Sequence, residues 1–485
     1  MGFILIITRE RRYIMFYRAD GKAVCADVIP FYENGKFYLF YLRDYRDHEG
    51  HGEGCPWCLL TSEDLVSYQD HGEVLVRGTA EDQDLYVFTG SCVKFNGEYY
   101  IYYTGHNPHK RRAGYPEQKV LLAKSSDLMN WTKVEDFCLE APDYLEMHDY
   151  RDPFVYYDTD TDKYCMLLAG RLKNDDPVHS KGVTLILHSD DLMNWELDKE
   201  PFYSPHAFFA HECPDLFKMG EWWYLVFSEF TDKNITVYRM AKSSCGPWIT
   251  PKHDSFDGHA FYAAKTVSDG EHRYIIGWNC IKNNEQDFDY WQWGGTIIPH
   301  EIVQAEDGTL YVKCPDKIRN AYSESLLLTD GYTVNAVETI ENGYIIGENG
   351  GRSLKLLGEI PNSFRFETEF ETSDETGDFG IILRADQHCD RYYAVKFEPK
   401  YNRLAFDRFP RRDSTVHVQC DVERYCPLVP GEKNKLLLIV EGSVLEVYVN
   451  DRVAMSARMF DFKDGEIGLY AQHTSVKFEK IKLFK

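Results

Sequence analysis

The sequence predicts an all-β protein, a five-bladed β-propeller followed by a C-terminal β-sandwich. Three observations carry that expectation. An aromatic hairpin pattern recurs five times in the first three hundred residues, short alternating strands take over from about residue 325, and convincing helical periodicity is absent throughout. Composition agrees: the 485 residues are 44% hydrophobic and 15% aromatic, a globular balance with an excess of rings that suit half-buried sheets.

The hairpin copies lie at residues 31–41, 93–103, 155–168, 216–227 and 266–278. Each is a β-rich run, a turn such as Asn34-Gly35 or Asn96-Gly97, and a second β-rich run. Turn residues that tolerate positive φ make this a hairpin signal. An element that begins with Ser and ends in Tyr68 or a Trp follows most copies, at residues 62–68, 126–131, 189–195 and 243–248. The repeat of roughly 50–60 residues is close to that of radial β-repeats, and five four-stranded units around an axis make a propeller. A sandwich with chance resemblance would not repeat a doubled motif in order. The propeller is therefore placed at residues 1–320. In residues 325–485, Phe364, Phe366 and Phe370 alternate with Arg365, Glu367, Glu369 and Glu371, and Leu445, Val447 and Val449 alternate with Glu446 and Tyr448, as in a sandwich.

Charge narrows the partners. Lys and Arg total 54 against 78 Asp and Glu, a net charge of −24 that repels phosphate backbones and anionic lipid, so neither nucleic acid nor a membrane is expected as a partner. The 13 cysteines are odd in number and lack a framework spacing. Residues 3–7 form an apolar run too short for a signal segment, with Arg9, Glu10, Arg11 and Arg12 on the wrong side. A cytoplasmic protein with reduced thiols is the simplest expectation.

The first strand of each blade lines a propeller's channel, and a ligand site sits at its mouth. Counting back from the hairpin turns, Asp27 lies eight residues before Gly35, Thr89 eight before Gly97 and Glu212 eight before Gly220. Pairing Phe37 with Tyr164 in the longer third hairpin sets Asp152 level with Asp27. Converging carboxylates serve either a hard cation or glycoside hydrolysis, which needs one protonated acid and one carboxylate at the anomeric carbon. The neighbours favour hydrolysis. Phe208, Phe209 and Cys213 give Glu212 an apolar setting suited to a carboxyl that must hold a proton, while Arg151 would keep Asp152 ionised and offer a fork to sugar hydroxyls. A small carbohydrate is the expected partner, with no cofactor and no metal.

Other signals are weaker. His48, His51, Cys55 and Cys58 match no standard zinc spacing and read as a loop at the pocket rim. Asp158, Asp160 and Asp162 lack the glycine and terminal glutamate of a calcium loop and read as a hairpin turn. Asn349, Gly350 and Gly351 read as a turn with no following helix. Trp291 and Trp293, in a polar loop, fit a core or a stacking wall for sugar equally well.

Arg151, Asp152 and Pro153 resemble the Arg-Asp-Pro motif of glycoside hydrolase family 32, the invertases, inulinases and levanases. The run from Glu212 to Asp215 resembles that family's Glu-Cys-Pro-Asp motif nearly letter for letter. Phe88, Thr89, Gly90 and Ser91 resemble its Phe-Ser-Gly-Ser segment, and residues 443–451 part of its sandwich. The resemblance implies a retaining double displacement on β-fructofuranosides, with Asp27 as nucleophile, Glu212 as acid/base and Asp152 as stabiliser. It places Phe88, Thr89 and Arg151 at the substrate. Departures are equally plain. The family's Trp-Met-Asn-Asp-Pro-Asn-Gly survives only as Asp27, its Trp-Gly-His becomes Trp57, Cys58 and Leu59, its Asp-Phe-Tyr-Ala begins with Ala260, and its Pro-Arg-Glu becomes Pro299, His300 and Glu301. Trp57 is carried over as a substrate contact. These changes leave two alternatives open: hydrolysis of another furanoside, such as an arabinofuranoside, and a non-catalytic sugar-binding protein.

Overall fold

The computed structural model describes residues 15–231, 233–347, 351–408, 411 and 420–485. The apolar run at residues 3–7, Asn349 and Gly350 lie outside them.

Antiparallel meanders follow one another through the first part of the chain. The first comprises β1 (Val24–Glu33), β2 (Lys36–Asp44), β3 (Trp57–Ser62) and β4 (Gln69–Leu75). The second is β5 (Tyr86–Phe95), β6 (Glu98–His106), β7 (Gln118–Ser125) and β8 (Thr132–Lys133). The third is β9 (Leu145–Asp158), β10 (Lys163–Leu172), β11 (Gly182–Ser189) and β12 (Glu196–Leu197). Then come β13 (Ala210–Met219), β14 (Trp222–Phe230) and β15 (Ile235–Ala241), and after them β16 (Phe261–Ser268), β17 (Arg273–Lys282), β18 (Trp291–Gln304) and β19 (Leu310–Lys313).

The hairpins form where the turn residues place them. Glu33 pairs with Lys36 across Asn34 and Gly35, both at positive φ. Asp158, Asp160 and Asp162 belong to the β9–β10 turn, where Asp158 Oδ1 accepts the Asp160 N–H at 2.9 Å. The recurring Ser-Asp-Leu element is a capped turn into the fourth strand. Ser125 Oγ accepts from the Leu128 N–H at 3.0 Å and Asp127 Oδ1 from the Asn130 N–H at 2.8 Å, with Leu128 left-handed. The bonds repeat at Ser62 and Asp64, and at Ser189 and Asp191.

The first strands β1, β5, β9, β13 and β16 pack side by side and return to β1, so they form a closed ring. β1 also pairs with β18, at Cys25 and Gly295, joining the first and last meanders in one sheet.

The C-terminal part is two packed antiparallel sheets. One runs in the order 337–340, 343–346, 476–484, 363–372, 434–441, 444–449 and 453–458, the other 333–334, 352–359, 466–472, 378–385, 393–398, 403–407 and 420–425. Phe364, Phe366, Phe370, Phe379, Phe397 and Phe478 fill the space between them, as the alternation predicts. Glu446 and Tyr448 depart from it. Expected on an outer face, both are buried, because that face of the first sheet is covered by the N-terminal part of the chain. No helix of the described residues is long and apolar enough to cross a membrane.

Buried charge ties the two parts together. Lys282, at the end of β17, donates to Asp421 Oδ2 and to the Asp287 carbonyl, each at 2.6 Å, and Arg458 reaches the Asn279 and Cys280 carbonyls at 2.8 and 3.0 Å. Removing one partner of a buried pair strands the other, which typically costs about 3–5 kcal/mol. Asp421→Ala should therefore lower unfolding stability by that order in denaturant titration. A change under about 1 kcal/mol, the usual value of an exposed pair, would show that Lys282 does not depend on it.

Candidate active site

Every strand of the inner ring is interrupted by a β-bulge at the same level. The register slips between Ala26 and Val28, between Phe88 and Gly90, between Arg151 and Phe154, between Glu212 and Asp215, and between Tyr262 and Lys265. The first residue inside each slip is Asp27, Thr89, Asp152, Cys213 or Ala263. All but Thr89 hold a positive φ, a conformation an aspartate tolerates and a cysteine or alanine rarely adopts. A bulge re-aims a side chain that an unbroken strand would alternate between faces. Gly90 shows how tightly the backbone is drawn in, since a Cβ there would stand 1.9 Å from the Tyr102 carbonyl oxygen.

The pairing also corrects the alignment read by counting. Met219 pairs with Trp222, so Gly220 is the first residue of its turn, where Gly35 and Gly97 are the second. Cys213, not Glu212, is thus the counterpart of Asp27 and Asp152. Glu212 stands one position earlier, level with Arg151 and Tyr262.

Two rows of side chains result. Along the first, Thr89 Oγ1 donates a very short hydrogen bond to Asp27 Oδ2, the Cys213 N–H donates to Asp152 Oδ2 at 2.9 Å, and the Cys213 thiol lies 3.9 Å from Thr89 Oγ1. Along the second, Arg151 Nη2 donates to Glu212 Oε1 at 3.0 Å and the Tyr262 hydroxyl to Glu212 Oε2 at 2.7 Å. Trp278 Nε1 reaches across from β17 to Asp27 Oδ1 at 3.1 Å.

The electrostatics differ from the expectation in two respects. Arg151 does not serve Asp152 alone: its close partners are Asp149 at 2.8 Å and Glu212 at 3.0 Å, with Asp152 Oδ2 3.7 Å from its Nε. Burial outweighs that guanidinium, so the Asp152 carboxyl is pushed above the ordinary range despite Arg151. Nor is Glu212 set among apolar groups, since both its oxygens are hydrogen-bonded. Burial instead raises Asp27 to about 7, against the Thr89 hydrogen bond and helped by the charges of Asp152 and Glu212. His106, beside Phe88, is held down to about 4 by burial and by Arg151.

Asp27, Phe88, Thr89, Arg151, Asp152, Glu212 and Trp293 line one cavity of about 550 Å³, so most of the residues singled out in the sequence converge. Trp291 lines a neighbouring cavity of about 880 Å³, which shares Glu212, Tyr262 and Trp293 with the first. Trp57 does not join them. It is wholly buried between the first and second meanders, against Phe40 of one and Tyr103 of the other, because the second sheet packs over that face of β3. His48, His51, Cys55 and Cys58 do not converge either: Cys55 and Cys58 are core residues, while His51 stacks on Tyr45. The sequence reading missed Tyr262, Trp278, His106, His148 and Asp149. Tyr262 stood in a motif already noted, while Trp278 sits on a second strand where only the fold shows its reach. Chemically, the cavity offers the three carboxyls of Asp27, Asp152 and Glu212, in unlike surroundings, and the fixed Arg151 guanidinium to a hydroxyl-rich ligand.

The raised Asp27 carries a stability consequence. Between the ordinary aspartate value of 3.8 and about 7 the folded chain holds a proton that the unfolded chain has released, so stability falls as pH rises through that window and stays lost above it. Asp27→Asn removes the titration. Its melting temperature relative to the parent should be more favourable at about pH 8 than at about pH 4.5. A difference independent of pH would contradict the raised carboxyl.

The family sequence models match most of the chain. That of the glycosyl hydrolases family 32 N-terminal domain covers residues 29–315, and that of the family's C-terminal domain covers residues 343–485. The first match begins just after Asp27, so that residue rests on its position in the ring. The sucrose-6-phosphate hydrolase of Escherichia coli is 25% identical over 460 residues, 91% of this chain and 87% of its own. A levanbiose-producing levanase of Bacillus subtilis is 24% identical, covering 93% and 86%. Among solved structures, fructan 1-exohydrolase IIa of Cichorium intybus in complex with 1-kestose superposes with a TM-score of 0.75 at 17% identity, covering 98% of both chains. An exo-inulinase of Aspergillus awamori does so at 0.73 and 18%, covering 97% and 98%. The chain belongs to glycosyl hydrolase family 32 and is a glycoside hydrolase of the β-fructofuranosidase-like kind.

Proposed function

We propose that the protein hydrolyses sucrose or short fructo-oligosaccharides from the fructosyl end, with retention of configuration. The observation that carries this reading is the convergence of Asp27, Asp152 and Glu212 on one cavity from bulged strands of a closed ring. That ring reads as a five-bladed propeller over residues 1–320, with the sandwich at 325–485. Names of relatives, among them sucrose-6-phosphate hydrolase, raffinose invertase and fructan 1-exohydrolase, support a small fructose-containing carbohydrate as substrate. Buried thiols such as Cys25, Cys55, Cys58 and Cys213 suit a cytoplasmic setting.

In the first step a carboxylate oxygen of Asp27 bonds to the anomeric carbon as the bond to the leaving oxygen breaks, and Glu212 gives that oxygen its proton. In the second, water bonds to the same face, Glu212 takes the water's proton, and the bond to Asp27 breaks. Such a pair needs carboxyls about 5–5.5 Å apart. Developing positive charge at the anomeric carbon favours ionised Asp27 once substrate is bound. Asp152, fixed by the Cys213 N–H, accepts from ring hydroxyls, and Arg151 and Tyr262 hold the Glu212 carboxyl in line. The acids suffice for this chemistry without a metal.

Substitutions separate the roles. Asp27→Asn should abolish turnover of natural and activated substrates alike. Glu212→Gln should lose roughly 10²–10⁴-fold on natural sugars but far less in the first step on an aryl fructoside, whose leaving group needs no proton. Added azide should partly restore its turnover. Asp152→Asn should slow every substrate without azide rescue. A Glu212 variant with wild-type activity on sucrose would refute the assignment. Activity on arabinofuranosides but on neither sucrose nor kestose would replace the substrate.

The two tryptophans give a second contrast. Trp293→Ala should raise KM with little change in melting temperature, since its ring walls both cavities. Trp57→Phe should lower the melting temperature with little change in KM. The reverse pattern would overturn the placement of both rings.

A further inference from the structure

We propose that Asp257, His300 and Glu446 form a site for a divalent cation, zinc fitting best, that links the two parts of the chain. Asp257 lies in the connection from β15 to β16, His300 on β18 and Glu446 on the sandwich strand Val444–Val449. All are buried, and each brings one ligand atom to within 4.8 Å of the others. Tetrahedral zinc, with bonds of about 2.0–2.2 Å, needs ligand atoms roughly 3.4 Å apart. Asp257 Oδ2 and His300 Nε2 already stand at 3.1 Å, so a small inward movement of Glu446 completes the set. An imidazole with two carboxylates suits zinc better than the all-oxygen shells of calcium or magnesium.

Independent features point to an ion. Glu446 Oε2 accepts from Ser456 Oγ at 2.9 Å, but the buried Oε1 has no hydrogen-bond partner. The neighbouring guanidiniums do not neutralise it. Arg424 donates to Ser255 and to the Asp257 carbonyl, and Arg458 to the Asn279 and Cys280 carbonyls and to Thr296 and Ser443 hydroxyls. His300 Nε2 now shares a proton with Asp257 Oδ2, and an ion would displace that proton, with Nδ1–H then donating to the Tyr448 hydroxyl 2.9 Å away. Asp257 is the member of the set that borders the 880 Å³ cavity, though its side chain is wholly buried.

The histidine itself is telling. This chain carries Pro299-His300-Glu301 where the family motif reads Pro-Arg-Glu. An arginine between Asp257 and Glu446 would bring a permanent cation to two buried carboxylates. Histidine brings one only when protonated, and a metal ion restores the missing charge. Burial and the Asp257 charge push the Glu446 carboxyl well up against the Ser456 hydrogen bond and Arg458, so the competing arrangement is a neutral Glu446 beside a His300–Asp257 pair.

Metal analysis of the full chain decides between them. Protein unfolded with chelator and refolded with zinc should hold about one zinc per chain after exhaustive dialysis, and chelation should lower its melting temperature. Glu446→Gln should hold less than about a tenth as much. His300→Arg, which supplies the charge covalently, should fold without metal and melt at the same temperature with or without chelator. A parent that retains no zinc and is indifferent to chelator, or a His300→Arg chain that still binds it in full, would overturn the site. Neither readout depends on activity, so failure here leaves the proposed hydrolysis untouched.

Discussion

The bulge in each inner strand is the constraint on which the site depends. A regular strand turns successive side chains to opposite faces, so neighbouring residues cannot both look into a channel. The slip at each strand lets Asp27 and Asp152 be aimed inward, and in the fourth and fifth meanders it leaves Glu212 and Tyr262 at the rim beside them. Left-handed aspartates, a cysteine and an alanine are conformations that cost of order 1–3 kcal/mol each and persist only when their surroundings over-determine them. Here the surroundings are rigid: Thr104 bridges the Thr89 carbonyl and the Asp152 N–H, tying the second bulge to the third.

Sequence carries the repeat well because hairpins are local. Asn34-Gly35 and Asn96-Gly97 state their turns without help from the rest of the chain, and the Ser-Asp-Leu turns cap themselves through Asp127 and Asp191. Carboxylates at the starts of strands were legible for the same reason. The exact register of a turn was not. Gly220 opens its turn where Gly35 and Gly97 close theirs, and so counting back from the glycine read Glu212 one position out of place. Burial on a second face was equally hidden. Trp57 resembled a ligand contact, and Glu446 and Tyr448 resembled solvent-facing positions, until the packing of another sheet covered them.

Electrostatics link the parts of the account. Arg151 is shared among Asp149, Asp152 and Glu212, and Asp149 is also paired with Arg171. Asp27 has no cation beside it: burial, aided by the charges of Asp152 and Glu212, holds its carboxyl up at about 7 against the hydrogen bonds from Thr89 and Trp278. A substrate that develops positive charge beside it reverses that preference during reaction. Stability is given up to keep the group poised, as expected where a site is tuned for chemistry.

The central claim is that Asp27, at the first bulge, forms the covalent bond to the sugar. It is tested most directly by mass spectrometry of peptides from the Glu212→Gln protein quenched during turnover of an aryl fructoside. In that variant formation of the intermediate is fast and its breakdown slow. The account predicts one fructosyl group on the peptide that contains Asp27, at that residue. A fructosyl group on Asp152, or no adduct together with inverted product, would contradict it.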